Sequence, residues 1–206
     1  MTSGECALYT IAMKQQLTDL ENFIRASAQD PGFVHRKWFV QWHLEIVEKL
    51  ARELLVKHPD ADADLVIAMV WLHDYGKLLD FDSQHAREHI DAGRDKLMEL
   101  GFGPAFAAKA ADYIELADTK ENLDQAPIEV QILASADGCS HLVGPFIRLW
   151  WWEHPGQPYE EIMKENIRKL TVDWEKKVVL PEARAAFQTR HDIALEQSGT
   201  LPGTFL

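Results

Sequence analysis

The chain has 206 residues, 47% of them hydrophobic and 26% charged, with 21 basic against 33 acidic side chains and a net charge of −12. A chain of this size buries about 70% of its unfolded surface and needs no disulfide or structural metal merely to fold. Evenly spread apolar residues, with only 11 glycines and 9 prolines, exclude a disordered, collagen-like or fibrous coiled-coil chain. With a pI near 5.1 and no Lys/Arg stripe interleaved with aromatics, the surface repels a phosphate backbone. Extended nucleic acid is therefore not expected as a partner. A small anionic substrate remains open, because a bound metal reverses the local sign of charge.

Cys6 and Cys139 are too few and too far apart for a disulfide framework and read as free thiols of a cytoplasmic protein. The first twenty residues lack a basic start and a long apolar run, and the longest apolar run, Leu65 to Leu72, is eight residues. Neither an export signal nor a membrane span is expected.

Apolar residues recur at helical spacing almost throughout, which predicts an all-α chain. A first helix is expected over Ala7–Ala28, with Leu8, Ile11, Leu17, Leu20 and Ile24 at spacings of three or four and Pro31-Gly32 ending it. A second runs from His35 to Lys57, with Trp38, Trp42, Ile46, Leu50 and Leu54 on one stripe. The segment Ala63–Lys77 is apolar all round, the mark of a buried central helix, and starts after the capping residues Asp62 and Asp64. Ser83–Leu100 reads as a charged amphipathic helix ended by Gly101, and Gly103-Pro104 opens a small-residue helix through Leu116. Pro127–Leu142 reads as a further buried helix. A Trp150-Trp151-Trp152 run follows and is expected in the core, and helices over Tyr159–Lys177 and Pro181–Gln197 form a closing hairpin.

A His-Asp dipeptide alone carries no information, and the chain has two. His191-Asp192 lies in a polar late helix and reads as a solvated face, whereas His73-Asp74 directly follows eight apolar residues. A carboxylate in such surroundings must be paired or bound, and a metal would satisfy it. Further donors should come from neighbouring buried helices. His43 begins a core-facing spacing with Val47, Ala51 and Leu54, and Asp137 sits in the apolar stretch ILASADGCSHL.

A histidine on one helix, a His-Asp pair after an apolar helix, and a later aspartate together resemble the HD-domain superfamily of metal-dependent phosphohydrolases. Here the residues are His43, His73-Asp74 and Asp137, and the stretches LHDYGK and ILASADG match the family's text around the pair and the last aspartate. The resemblance covers roughly residues 35–145, within an expected single all-α domain spanning 1–206 whose closing helices lie at 159–197. It implies a compact helical bundle and one divalent ion (Mn, Mg, Fe, Co, Ni or Zn) held by His43, His73, Asp74 and Asp137. It also implies hydrolysis of a small phosphorylated substrate, often a nucleotide, by attack of a metal-activated water, with Asp74 a catalytic ligand.

Lys77, one turn beyond His73, is expected either to stabilise the phosphoryl oxygens or to sit as a cation at a helix C-terminus. In dinuclear members a histidine from the region of His85 and His89 joins one from the following helix. His89 fits better than His85, but the following helix offers Glu115 or Asp118 and no histidine. Asp80 and Asp82 read as a general acid or base, or as openers of the next helix. Arg36-Lys37 reads as a snorkelled face, His58 as a cap, and His35, His141 and His154 show no partner pattern. Two other readings remain: a metal-retaining nucleotide-binding or regulatory module without useful catalysis, favoured by a shortage of evident basic residues near the motif, and a dinuclear iron oxygenase using His89.

Overall fold

The computed structural model describes residues 3–200 with 203 and 204, and their side chains from residue 10 onward. The thiol of Cys6 and the side chain of Leu8 lie outside the described residues. The described chain is all-α, without a strand: α1 (Ser3–Ser27), α2 (Glu45–Lys57), α3 (Ala63–Leu72), α4 (Tyr75–Leu79), α5 (Arg87–Glu99), α6 (Pro104–Thr119), α7 (Ile128–Ser140), α8 (Phe146–Glu153), α9 (Tyr159–Val172) and α10 (Pro181–Gln197). Two π-helical turns interrupt the α-helices, Val40–Leu44 before α2 and Asp173–Lys177 after α9. No described helix is long and apolar enough to cross a membrane.

The core centres on α3, in which every residue from Leu65 to Leu72 is buried. Asp62 caps it by accepting from the Leu65 N–H at 3.1 Å, as the capping pattern predicts. α1, α2, α6 and α7 pack around α3, through Leu20 and Ile24 of α1, Val47 and Ala51 of α2, Ala107 and Ala110 of α6, and Ile132 and Leu133 of α7. The alanines of α6 let its axis approach closely.

The expected helix Ala63–Lys77 breaks at His73-Asp74: His73 is the C-cap of α3 and Asp74 precedes α4. Apolar patterning hides this break, because α4 continues to bury Tyr75 and Gly76. A Cβ on Gly76 would lie 2.0 Å from the Gln84 carbonyl oxygen, so only glycine lets the 83–86 turn lie against α4. That turn occupies the first residues of the expected Ser83–Leu100 helix, and α5 starts only at Arg87.

α10 has the expected bounds, and α9 with its π turn fills Tyr159–Lys177. Fully buried Ser135 of α7 ties this hairpin down: its Oγ accepts from the N–H groups of Val179 and Leu180, each at 3.1 Å. His191 is no solvated face; it is buried and stacks on Trp174 with centroids 4.4 Å apart. The Trp150–Trp152 run is not core, because α8 has no buried residue and Trp152 is 55% exposed beneath the Lys37 ammonium. α8 is instead pinned at its last residue, Glu153, whose carboxylate accepts from Trp38 Nε1 at 2.6 Å and His35 Nδ1 at 2.8 Å. Cys139 is a buried free thiol, pushed up to about 12 by burial and by the Asp137 charge.

Candidate metal centre

Four chain segments bring the chemistry together. The π turn Val40–Leu44 carries His43, the α3–α4 break carries His73 and Asp74, α7 carries Asp137, and the π turn Asp173–Lys177 covers them. Extra backbone in a helix is a frequent device for re-aiming side chains at a site. Here an i→i−5 bond from Glu45 N–H to Val40 O marks the first turn, and one from Val178 N–H to Asp173 O at 3.0 Å marks the second.

His43 Nε2 lies 3.1 Å from Asp74 Oδ2, 3.3 Å from His73 Nε2 and 3.7 Å from Asp137 Oδ1, while His73 Nε2 is 3.6 Å from Asp74 and 3.9 Å from Asp137. The four residues singled out by the sequence thus converge, with no side chain more than 10% exposed. The tautomers are set from behind. His73 Nδ1–H donates to Val70 O at 2.8 Å. Ser140 donates its hydroxyl to Asp137 O at 2.7 Å, so its oxygen can only accept from His43 Nδ1–H at 3.1 Å. Both Nε2 atoms therefore present lone pairs to each other across 3.3 Å, an arrangement that repels unless a cation lies between them. This is how metal-ligating histidines are held, each with its far nitrogen engaged, and with two carboxylates alongside, the residues present fit a divalent ion.

The charges agree. Burial alone would raise Asp74, but the Lys77 ammonium at 2.6 Å, with His73 and His43, holds it well below the usual carboxylate range. Asp137 is likewise held far down against burial, chiefly by Lys177, whose ammonium contacts its Oδ2 and is itself raised by that partner despite burial. Gly138 makes this contact possible: a Cβ there would meet Val178 Cγ2 at 2.9 Å and Lys177 Cβ at 3.1 Å. Burial lowers His43 to about 4, which keeps its imidazole neutral.

The centre opens into a cavity of about 370 Å³. Its lining includes the aromatic rings of Trp38, Phe81, Phe146 and Trp150 and the cationic side chains of Lys77, Lys120, Arg168, Lys169 and Lys177. His85 reaches the rim, 59% exposed and paired with Asp118 at 3.1 Å. Other secondary candidates are not brought in. Glu115 faces outward on Arg87 at 2.5 Å. His89 lies in a narrow cleft behind His73 with its Nδ1 unpartnered. Asp80 is exposed, accepts from Ser83 Oγ at 2.6 Å, and lines a neighbouring hollow instead of the metal cavity. Among the described residues, the groups of three or more able to hold an ion are His43/His73/Asp74 and His43/Asp137/His141. Neither contains His85, His89, Glu115 or Asp118.

His141 was not legible as a site residue, although Asp137 and His141 are four apart on one helix and share a face. Likewise Lys169, Asp173 and Lys177, each four apart, form one face of the α9 hairpin, a signal that a search confined to the motif passes over. Lys169 and Lys177, with Arg168, supply the basic residues whose shortage favoured a non-catalytic module.

A family model described as HD domain matches residues 42–142, a segment that contains all four converging residues and His141 but not the hairpin. No curated protein matches the chain, and no solved structure does.

Proposed function

Because this chain belongs to the HD-domain superfamily, we propose that it is a metal-dependent phosphohydrolase that cleaves a small phosphate monoester, with His43, His73, Asp74 and Asp137 holding one divalent ion. The carrying observation is the pair of Nε2 lone pairs facing each other at 3.3 Å, beside two carboxylates held ionised. The chemistry supplied by such an ion is Lewis-acid polarisation of a phosphoryl oxygen and acidification of a bound water.

Charge balance favours a phosphate substrate. Asp74 is neutralised by Lys77, Asp137 by Lys177, Asp173 by Lys169 and Glu165 by Arg168. A divalent ion then leaves the centre with a surplus of two positive charges, which a phosphate dianion matches. Lys77 bonds the same Asp74 oxygen that faces His43, so its remaining protons are placed to donate to a phosphoryl oxygen. Lys169 and Arg168 flank the approach and orient the anion. The aromatic lining from Trp38, Phe81, Phe146 and Trp150 suits a planar leaving group and favours a nucleotide among phosphate esters. We also take the chain as one domain, since Ser135 and Asp137 of α7 bond directly to the hairpin.

The test is elemental analysis of protein purified without chelator, beside Asp74→Ala, with inorganic phosphate release from a panel of nucleotides and other phosphate monoesters. Near one equivalent of metal and phosphate release, both lost in the variant, is expected. Full activity in the variant would overturn the reading.

A further inference from the structure

Three imidazoles, not two, bring an Nε2 atom to this centre. His141 is 5% exposed, its ring parallel to that of His43 within 4° at a centroid distance of 5.3 Å. Its Nδ1 lies 2.7 Å from Asp173 Oδ2, and Lys169 Nζ holds that same oxygen at 2.7 Å. An ionised carboxylate only accepts, so His141 Nδ1 carries the proton and Nε2 presents a lone pair. That Nε2 lies 3.6 Å from Asp137 Oδ1, too far for a hydrogen bond and of the wrong polarity for one.

We propose that His141 is a fifth ligand of the ion, oriented by Asp173 from the C-terminal hairpin, so that the centre is a three-histidine, two-aspartate set. The proposal rests on the metal-dependent reading above and adds two things to it. The hairpin, which lies outside the matched segment 42–142, becomes part of the metal centre through the Lys169–Asp173–His141 chain. The ion's class is also narrowed. Three imidazoles favour Fe²⁺, Co²⁺, Ni²⁺ or Zn²⁺ and disfavour Mg²⁺, which keeps oxygen ligands and most of its waters.

Co²⁺ is the probe, added to the chelator-treated full chain and followed by equilibrium titration and proton NMR. Each histidine bound through Nε2 gives one hyperfine-shifted Nδ1–H signal that disappears in D₂O. Wild type should show three such signals, His141→Gln two with weaker binding, and Asp173→Asn three with Co²⁺ affinity lowered about 10- to 100-fold. Mg²⁺ in large excess should not displace Co²⁺. Two signals in wild-type protein that binds Co²⁺ would overturn the fifth ligand while leaving the four-residue site standing, and this result needs no variant to fold. Failure of wild type to take up Co²⁺ at all would instead overturn the metal-dependent reading, and the fifth ligand with it.

Discussion

His43 and His73 come from helices 30 positions apart, yet their Nε2 atoms sit 3.3 Å from each other with both Nδ1–H groups already engaged, by Ser140 Oγ and Val70 O. The folded chain thus holds two repelling lone pairs together, and a bound cation turns that repulsion into attraction. Metal should therefore stabilise the fold: at a free ion concentration 100 times Kd the gain is about 2.7 kcal/mol. The expected outcome is a melting temperature that falls on chelation and returns with Co²⁺ or Zn²⁺. A chelator-insensitive melt in protein shown to bind metal would contradict it.

Lys77 touches Asp74 but offers no ligand atom of its own while protonated. Lys77→Met should keep metal content near that of wild type and lower kcat by about 10²- to 10³-fold, the loss usual for one donor to a developing anion. Metal analysis beside steady-state kinetics separates this from a ligand variant, in which both would fall together.

Gly138 lets the hairpin lie against α7 at Cβ-excluding distance, with Val178 Cγ2 at 2.9 Å from where a methyl would stand. Gly138→Ala should force Lys177 and Val178 outward and cost about 1–3 kcal/mol by overpacking. Urea denaturation measures this, and weaker metal retention should accompany it, because Lys177 is moved off Asp137.

His191 is buried against Trp174 with neither ring nitrogen hydrogen-bonded, and burial lowers its proton affinity below the ordinary value of 6.5. The unfolded chain binds a proton there that the folded chain refuses. This contribution to stability is complete above the unfolded value and is lost as pH falls below it. Denaturation midpoints of wild type should drop between pH 7.5 and 5.5 by more than those of His191→Phe. Equal drops would show that other groups carry the whole dependence.

Much of this molecule was legible in order along the chain. Helical periodicity and capping determined the all-α class, the cap at Asp62, the buried runs of α3 and α7 and the bounds of α10, because each depends on neighbours within one or two turns. The types and order of His43, His73-Asp74 and Asp137 also stood out, since carboxylates in apolar helices lack a solvent face. Distances between helices do not follow from periodicity, so only the tertiary structure decided the rest. It broke the α3 helix at His73-Asp74, swung the 83–86 turn onto Gly76, and set Asp80 and Glu115 away from the centre. It also brought Asp173 and Lys177 of the hairpin across onto His141 and Asp137, 32 and 40 positions distant, where Gly138 leaves room for them.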